Sequence, residues 1–443
     1  MYFKRKMDES LVKWLKSENH SPAVVFGIRQ CGKSETILHF AKSNFKNVVS
    51  IDFWKNPSAC EAFNDSLEVD DIIKKLSYIF QKYKFVPYET IIVLDEIQDC
   101  PRARLALKSF KSDKRFEVIA SGSYLGLNID NSGVPKPNGS EDFFEMKTMD
   151  FEEFLWANGY DETMINPLVD CFVNKKPVPS LIHDKMKELF KEYICVGGYP
   201  EAVLKLVKTN SFSQAYDKVK DLIIDIKGDP SKRKDTQNKP LYTSAEVSRI
   251  QKAFELIASF SVKDNKRFVL SNIKGNSYQR EDAINYMINA SIAYKVNNVS
   301  VPSLPLGVKK IESDFKLFYS DIGILINQLG FETIQGIMED TLGMNKGYIY
   351  ESVVADSLYK ASIPLYYFSK SSGLEIDFVI PYKGFSTLIE AKAKTGNTKS
   401  SKTVMSHKEH YGETKLIKIG DYNISQEGDI ITIPHYMTFV LGK

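Results

Sequence analysis

GIRQCGKS, residues 27–34, decides how the first third of this chain is read. The apolar run AVVF (23–26) leads into it and the helix-forming ETILHFAKS (35–43) leads out, so a short buried strand turns into a helix across Gly27 and Gly32. The pattern G-x-x-x-x-G-K-[ST], completed by Lys33 and Ser34, is that of a loop whose backbone N–H groups face phosphate oxygens together with the positive end of the next helix. Gly27, Ile28, Arg29, Gln30, Cys31, Gly32, Lys33, Ser34 and Glu35 are therefore the expected ATP-binding segment. Lys33 would reach the β and γ phosphates, and Ser34 would ligate Mg²⁺.

Two further pieces follow in order. The run TIIVLDE (90–96) ends in Asp95 and Glu96, and carboxylates at the end of a buried strand are costly unless they face a ligand. Asp95 is expected to hold Mg²⁺ and Glu96 to orient or deprotonate the attacking water. ASGS (120–123) ends the next strand, where Ser121 or Ser123 would sense the γ-phosphate. The competing reading is a turn in a Rossmann-like sheet that no longer binds nucleotide. Spacing alone assigns no arginine finger.

The alternation of apolar runs and helical stretches around these pieces (VVSIDF at 48–53, DDIIKKLSYIFQKY at 70–83, FEVIASGS at 116–123) is that of a parallel sheet covered on both faces. Residues 1–20 read as a short amphipathic helix, with Met7, Leu11, Trp14 and Leu15 near helical spacing. The chain has 443 residues, enough for about three domains. With 43% hydrophobic and 26% charged residues it has ordinary globular composition, and its net charge of +3 argues for no partner by itself. Five scattered cysteines form no CxxC pair and read as reduced thiols. No apolar h-region and no long apolar run is found, so the expected location is cytoplasmic, with no membrane association.

Further on, Thr243 and Glu246 form a capping box for a helix running to about Phe260. A second helix over 279–293 and the strand YKVNNVSV after it give helices followed by strands, which suits a winged-helix unit. The last third carries another constellation. In LEIDFVIPYKGFSTLIEAKAK the strands 374–380 and 387–393 are joined through Lys383-Gly384. Glu390 and Lys392 share a face of the second strand, and Asp377 comes from its neighbour. Glu351 lies on the apolar stripe of its helix, an odd place for a carboxylate. Three carboxylates and a lysine make an oxygen-ligand pocket for Mg²⁺ or Mn²⁺, in which Asp377 and Glu390 would hold the metal and Glu351 and Lys392 would assist catalysis. From Lys392 to Lys418 seven lysines stand against two glutamates, an excess that could track a phosphate backbone. Alternating charges on a strand are also what a solvated face looks like.

Taken together, these residues resemble a bacterial and archaeal family of AAA-type ATPases with a C-terminal domain of unknown function numbered 4143. The marks are GIRQCGKS; LDEIQ (94–98); ASGS (120–123); MDFEEFL (149–155), similar to the family's "PLSFxEF" element; GGYPEAV (197–203), similar to its "GGxPE" element; and FYSDIG (318–323). The resemblance implies an α/β multidomain protein. Its parts would be an AAA/STAND-like P-loop ATPase domain with a parallel sheet (1–165), a helical subdomain (166–240), a winged helix (241–308) and a restriction-endonuclease-like α/β domain (309–443). By the same carry-over Asp377, Glu390 and Lys392 match the PD-(D/E)xK nuclease motif, and Glu351 matches its helical acidic residue. Ile376 stands where the motif has Pro, and Tyr124 follows ASGS where the family has a small polar residue.

The function expected on these grounds is an ATP-dependent switch acting on DNA, with ATP and ADP as ligands and oligomerisation open. One alternative keeps the ATPase and makes the terminal domain a non-catalytic binding module. Another is a signalling or regulatory ATPase whose partner is a protein.

Overall fold

The computed structural model describes residues 1–122, 139–233, 239–261, 267–343, 346–393 and 398–443. Ser123 and Tyr124 lie outside them. The chain forms two compact units, Met1–Lys147 with Lys232–Leu241 and Asn289–Ser291, and Thr148–Ser231 with Tyr242–Ile288 and Ile292–Lys443. Among the described residues no helix is long and apolar enough to cross a membrane.

The first unit is built on a five-stranded sheet of β1 (Ala23–Phe26), β2 (Asn47–Asp52), β3 (Thr90–Asp95), β4 (Glu117–Gly122) and β5 (Asp142–Glu145). Every pair is parallel and the order is β2-β3-β4-β1-β5. The first five residues of β3 are buried, as expected of a strand covered on both faces. Val49, Ile51, Ile92, Leu94, Val118 and Ala120 of the sheet pack in one core with the helices α3 (Val69–Ile79) and α4 (Pro101–Asp113). The amino-terminal helix α1 (Lys6–Leu15) buries Leu11 and Trp14, and Trp14 packs near Phe40 of α2 (Lys33–Asn44). Because β4 lies between β1 and β3, three strand ends stand side by side at the carboxyl edge of the sheet, where open α/β folds place their ligands.

The second unit holds a mixed eight-stranded sheet, ordered β12-β13-β11-β10-β9-β8-β6-β7. Its strands are β6 (Ala293–Val299), β7 (Lys310–Tyr319), β8 (Tyr366–Ser369), β9 (Glu375–Tyr382), β10 (Phe385–Ala391), β11 (Thr414–Gly420), β12 (Ser425–Glu427) and β13 (Ile430–Pro434). The expected turn joins β9 to β10: Lys383 and Gly384 both have positive φ (47° and 81°), the pair of left-handed residues that a two-residue hairpin requires. The expected capping box opens the helix Ser244–Ser261, with Thr243 N donating to Glu246 at 2.7 Å and Glu246 N donating to Thr243 Oγ1 at 3.3 Å.

The strands expected in the winged-helix unit pair with each other, and β6 also pairs in parallel with β8, in the same sheet as the terminal strands. Six of the seven residues of β6 are buried, as a strand inside that sheet requires. Asn298 locks the junction, donating to Asp314 (2.8 Å) of β7 and to the Ser369 carbonyl (3.1 Å) of β8 and accepting from Ser369 N (3.0 Å).

Along the chain, the first stretch of one unit ends at Lys147 and the other unit begins at Thr148. Residues of MDFEEFL, GGYPEAV and FYSDIG meet in one buried knot inside the second unit. Asp321 accepts from Thr148 Oγ1 (2.6 Å), Gly198 N (2.9 Å), Gly323 N (2.8 Å) and Lys360 Nζ (3.0 Å). A Cβ on Gly198 would stand 2.0 Å from the Met149 carbonyl, so only glycine allows this approach.

Candidate functional site

The loop 27–32 is shaped by backbone geometry. Gly32 caps α2 at φ 97° and Gln30 is left-handed at φ 60°. A Cβ on Gly27 would lie 2.0 Å from the Met146 carbonyl, so the loop presses directly on the segment after β5. The opposite staple is Arg5, 4% exposed, which donates to the carbonyls of Cys31 and Lys147, both at 2.7 Å. Cys31 adds a thiol contact to Met146 O at 3.3 Å. Arg29, Gln30, Ser34 and Glu35 are exposed on the outer side, at the amino end of α2.

Lys33 Nζ donates to the carbonyls of Gly27 (3.0 Å) and Ile28 (2.9 Å), so its ammonium lies folded over the loop. Ser34 Oγ donates to Asp95 Oδ2 at 2.7 Å, and Ser121 Oγ donates to Asp95 Oδ1. The first turn of α2 and the end of β4 thus converge on the carboxylate that ends β3, as the motif order requires. A serine hydroxyl and a carboxylate are hard oxygen donors, the set that suits Mg²⁺. Next to them Glu96 takes a left-handed conformation (φ 53°), and Gln98 Nε2 donates to its Oε2. Asp52 stands in register with Asp95 and pairs with Lys55 at 2.7 Å.

In the second unit the expected residues also come together, with company. Lys392 pairs with Glu390 (2.6 Å) and Asp377 (3.5 Å), and Asp377 accepts from Ala391 N at 2.9 Å. Ser401 Oγ donates to Glu390. Glu351 is explained by Lys316 of β7, which donates to it at 3.2 Å and to Glu375 at 3.3 Å. Lys316 and Glu351 are each 2% exposed. Burial, then the neighbouring Glu351, pushes the Asp377 carboxyl up to about 6. Burial opposes the charge of Lys316 and Lys392, but the facing carboxylates hold both ammoniums above the ordinary lysine range. Among the described residues no three acidic, imidazole or thiol groups are gathered as a metal cluster.

Sequence reading missed Arg5, Gln98 and Lys316. A lysine inside the apolar run FKLFY was a legible signal for the last, because a buried ammonium demands a carboxylate. Nothing local announced Arg5, whose partners lie 26 and 142 residues away.

Residues 19–155 match the AAA domain family, residues 187–335 a domain of unknown function (DUF8612), and residues 346–436 a domain of unknown function (DUF4143). The fold and the first of these matches define an AAA-type P-loop ATPase domain. No curated protein matches the sequence. Solved structures that align with it include the Orc1 protein of Aeropyrum pernix in complex with DNA, at 12% identity over 75% of this chain and 92% of that one, with a TM-score of 0.27. The replication initiator DnaA bound to AMPPCP and single-stranded DNA aligns at 12% identity over 65% and 89%, with a TM-score of 0.30. A signal transduction ATPase (STAND) protein of Pyrococcus horikoshii aligns at 12% identity over 82% and 49%, with a TM-score of 0.25.

Proposed function

We propose that the chain is an ATP-binding and ATP-hydrolysing switch that acts on DNA through its second unit. The observation that carries the first part is the hydrogen bond from Ser34 to Asp95, which joins the phosphate loop to the acidic strand end. On this reading Lys33 leaves its two backbone carbonyls for the β and γ phosphates, while the loop N–H groups and the amino end of α2 hold their oxygens. Mg²⁺, held by Ser34 and Asp95, would draw charge from the phosphate oxygens. Glu96 takes a proton from the attacking water as its oxygen bonds the γ-phosphorus and the bond to the bridging oxygen breaks, with ADP leaving. Ser121 reports the state of the γ-phosphate to Asp95. Differential binding of ATP and ADP then biases the two states of the switch. Calorimetry and a phosphate-release assay test it. Glu96→Gln is expected to bind ATP and to lose turnover; a variant with wild-type turnover refutes the role of Glu96.

For the second unit the proposed action is metal-assisted phosphodiester cleavage by Asp377, Glu390 and Lys392, with Glu351 behind them. The proximity of Asp377, Glu390 and Lys392 supports it. A second reading, a non-catalytic binding module, is favoured by the pairing of Lys316 and Lys392 with these same carboxylates. Incubating the protein with plasmid and Mn²⁺ beside Asp377→Ala and Glu390→Ala separates them. Cutting that both variants lose supports catalysis, and an uncut plasmid supports the binding module.

A further inference from the structure

The run DEIQDC folds back on itself in a way that the nucleotide reading leaves unexplained. Asp95 ends β3, Glu96 is left-handed at φ 53°, and Ile97–Asp99 makes a single tight turn. Ile97 is fully buried in the core, which pins that turn and returns Gln98 to the side of Glu96. The two ends of the Gln98 amide then do different things. Nε2 donates to Glu96 Oε2, whereas Oε1 is buried with no hydrogen-bond partner among the described residues. That oxygen lies over the end of β4, where a Cβ on Gly122 would stand 2.4 Å from it. The neighbouring residue of β4, Ser121, is bonded to Asp95. A buried acceptor left unpaired is expensive and calls for a reason.

We infer that Gln98 positions Glu96 for proton removal, its Nε2 fixing the carboxylate and its Oε1 accepting the second proton of the attacking water. A primary amide suits the task because it presents a donor and an acceptor at once, which neither a carboxylate nor an alkyl chain does. Gly122 belongs to the same device, since any side chain there displaces the amide. The inference rests on the ATPase reading and names the residue that aims its base.

The test uses the full chain, with steady-state ATP hydrolysis, ATP calorimetry and thermal melting measured on Gln98→Ala, Gln98→Glu, Gly122→Ala and the double variant Gln98→Ala/Gly122→Ala. Gln98→Ala is expected to lower kcat about 10- to 100-fold, with KM and ATP affinity within about twofold of wild type. Gln98→Glu falls at least as far, because it sets a second negative charge against Glu96. Gly122→Ala reproduces the loss with Gln98 still present, and the double variant is no slower than the slower single one, as residues acting as a unit require. A purely structural role would instead lower ATP affinity and melting temperature together with kcat, and that result overturns the inference. Turnover in wild type that Gln98→Ala leaves unchanged overturns this inference alone. Wild type that binds ATP without turning it over overturns the hydrolysis reading and this inference with it. Should Gln98→Ala fail to fold, Gln98→Glu and Gly122→Ala decide by the same criteria.

Discussion

Lys33 and Lys316 show two ways of keeping an ammonium at a sheet. Lys33, partly exposed at the first turn of α2, rests on two backbone carbonyls, neutral partners that a phosphate would displace on the proposed reading with a gain in charge pairing. Lys316 is bonded to Glu351 and Glu375, with almost no solvent contact. At Lys33 in the first unit, then, the bonded partners carry no opposite charge. In the second the charges answer one another, and the penalty of taking them out of water is already met inside the protein. The same residue type is bonded to neutral carbonyls in one place and to carboxylates in the other, and the partner atoms separate the two.

The sharpest way to break this contrast is Lys316→Met. It leaves Glu351 buried without its ammonium and is expected to cost about 3–5 kcal/mol in urea unfolding. Adding Glu351→Gln should return much of the loss; a Lys316→Met protein as stable as wild type would end the distinction. Next is Lys33→Ala, for which calorimetry is expected to show ATP affinity lower by at least about 100-fold, near 2.7 kcal/mol. Its melting temperature without nucleotide stays within about 2 °C of wild type. A smaller effect is expected of Arg5→Ala. Loosening the staple on the Cys31 carbonyl weakens ATP binding about tenfold, and Arg5→Lys recovers little because an ammonium lacks the guanidinium fork.

The smallest effect sharpens the picture of the buried charges. Burial pushes Asp356 up to about 7, against the pull of Lys360, so its folded value lies above its unfolded one. Its contribution to stability is complete below about pH 4 and is lost as pH rises through 7. Asp356→Asn removes that dependence. Unfolding curves of the variant and of wild type should shift relative to each other between pH 6 and 8, in favour of the variant, by on the order of 1 kcal/mol. Parallel pH profiles would show that Asp356 does not titrate in the folded protein.

The first unit was largely legible because its signals are local. AVVF, TIIVLD and EVIASG are continuous apolar runs that only a doubly covered sheet buries, and the loop between the first of them and its helix is marked by glycines at fixed spacing. The Lys383-Gly384 turn and the Thr243–Glu246 cap were equally readable, since each is complete within four residues. The strands after the helix Ser277–Asn289 were less legible for the opposite reason. A hairpin looks the same in sequence whether it stands alone or enters a sheet beside a distant strand, as Asn298 does by its bonds to Ser369, 71 residues further on. Burial on both faces separates the two cases, and burial is a property of what packs there.

From its order of residues alone, this protein declared a phosphate loop, an acidic strand end and a hairpin carrying Asp377, Glu390 and Lys392, because backbone chirality and side-chain period act over a few residues and leave their mark in spacing. The tertiary structure alone decided that Arg5 backs the loop, that β4 brings Ser121 to Asp95, that Gln98 turns onto Glu96, and that Lys316 answers Glu351. Those pairings join atoms from separate elements, and the free energy that selects them, burial set against the loss of hydration, exists only once the elements have packed.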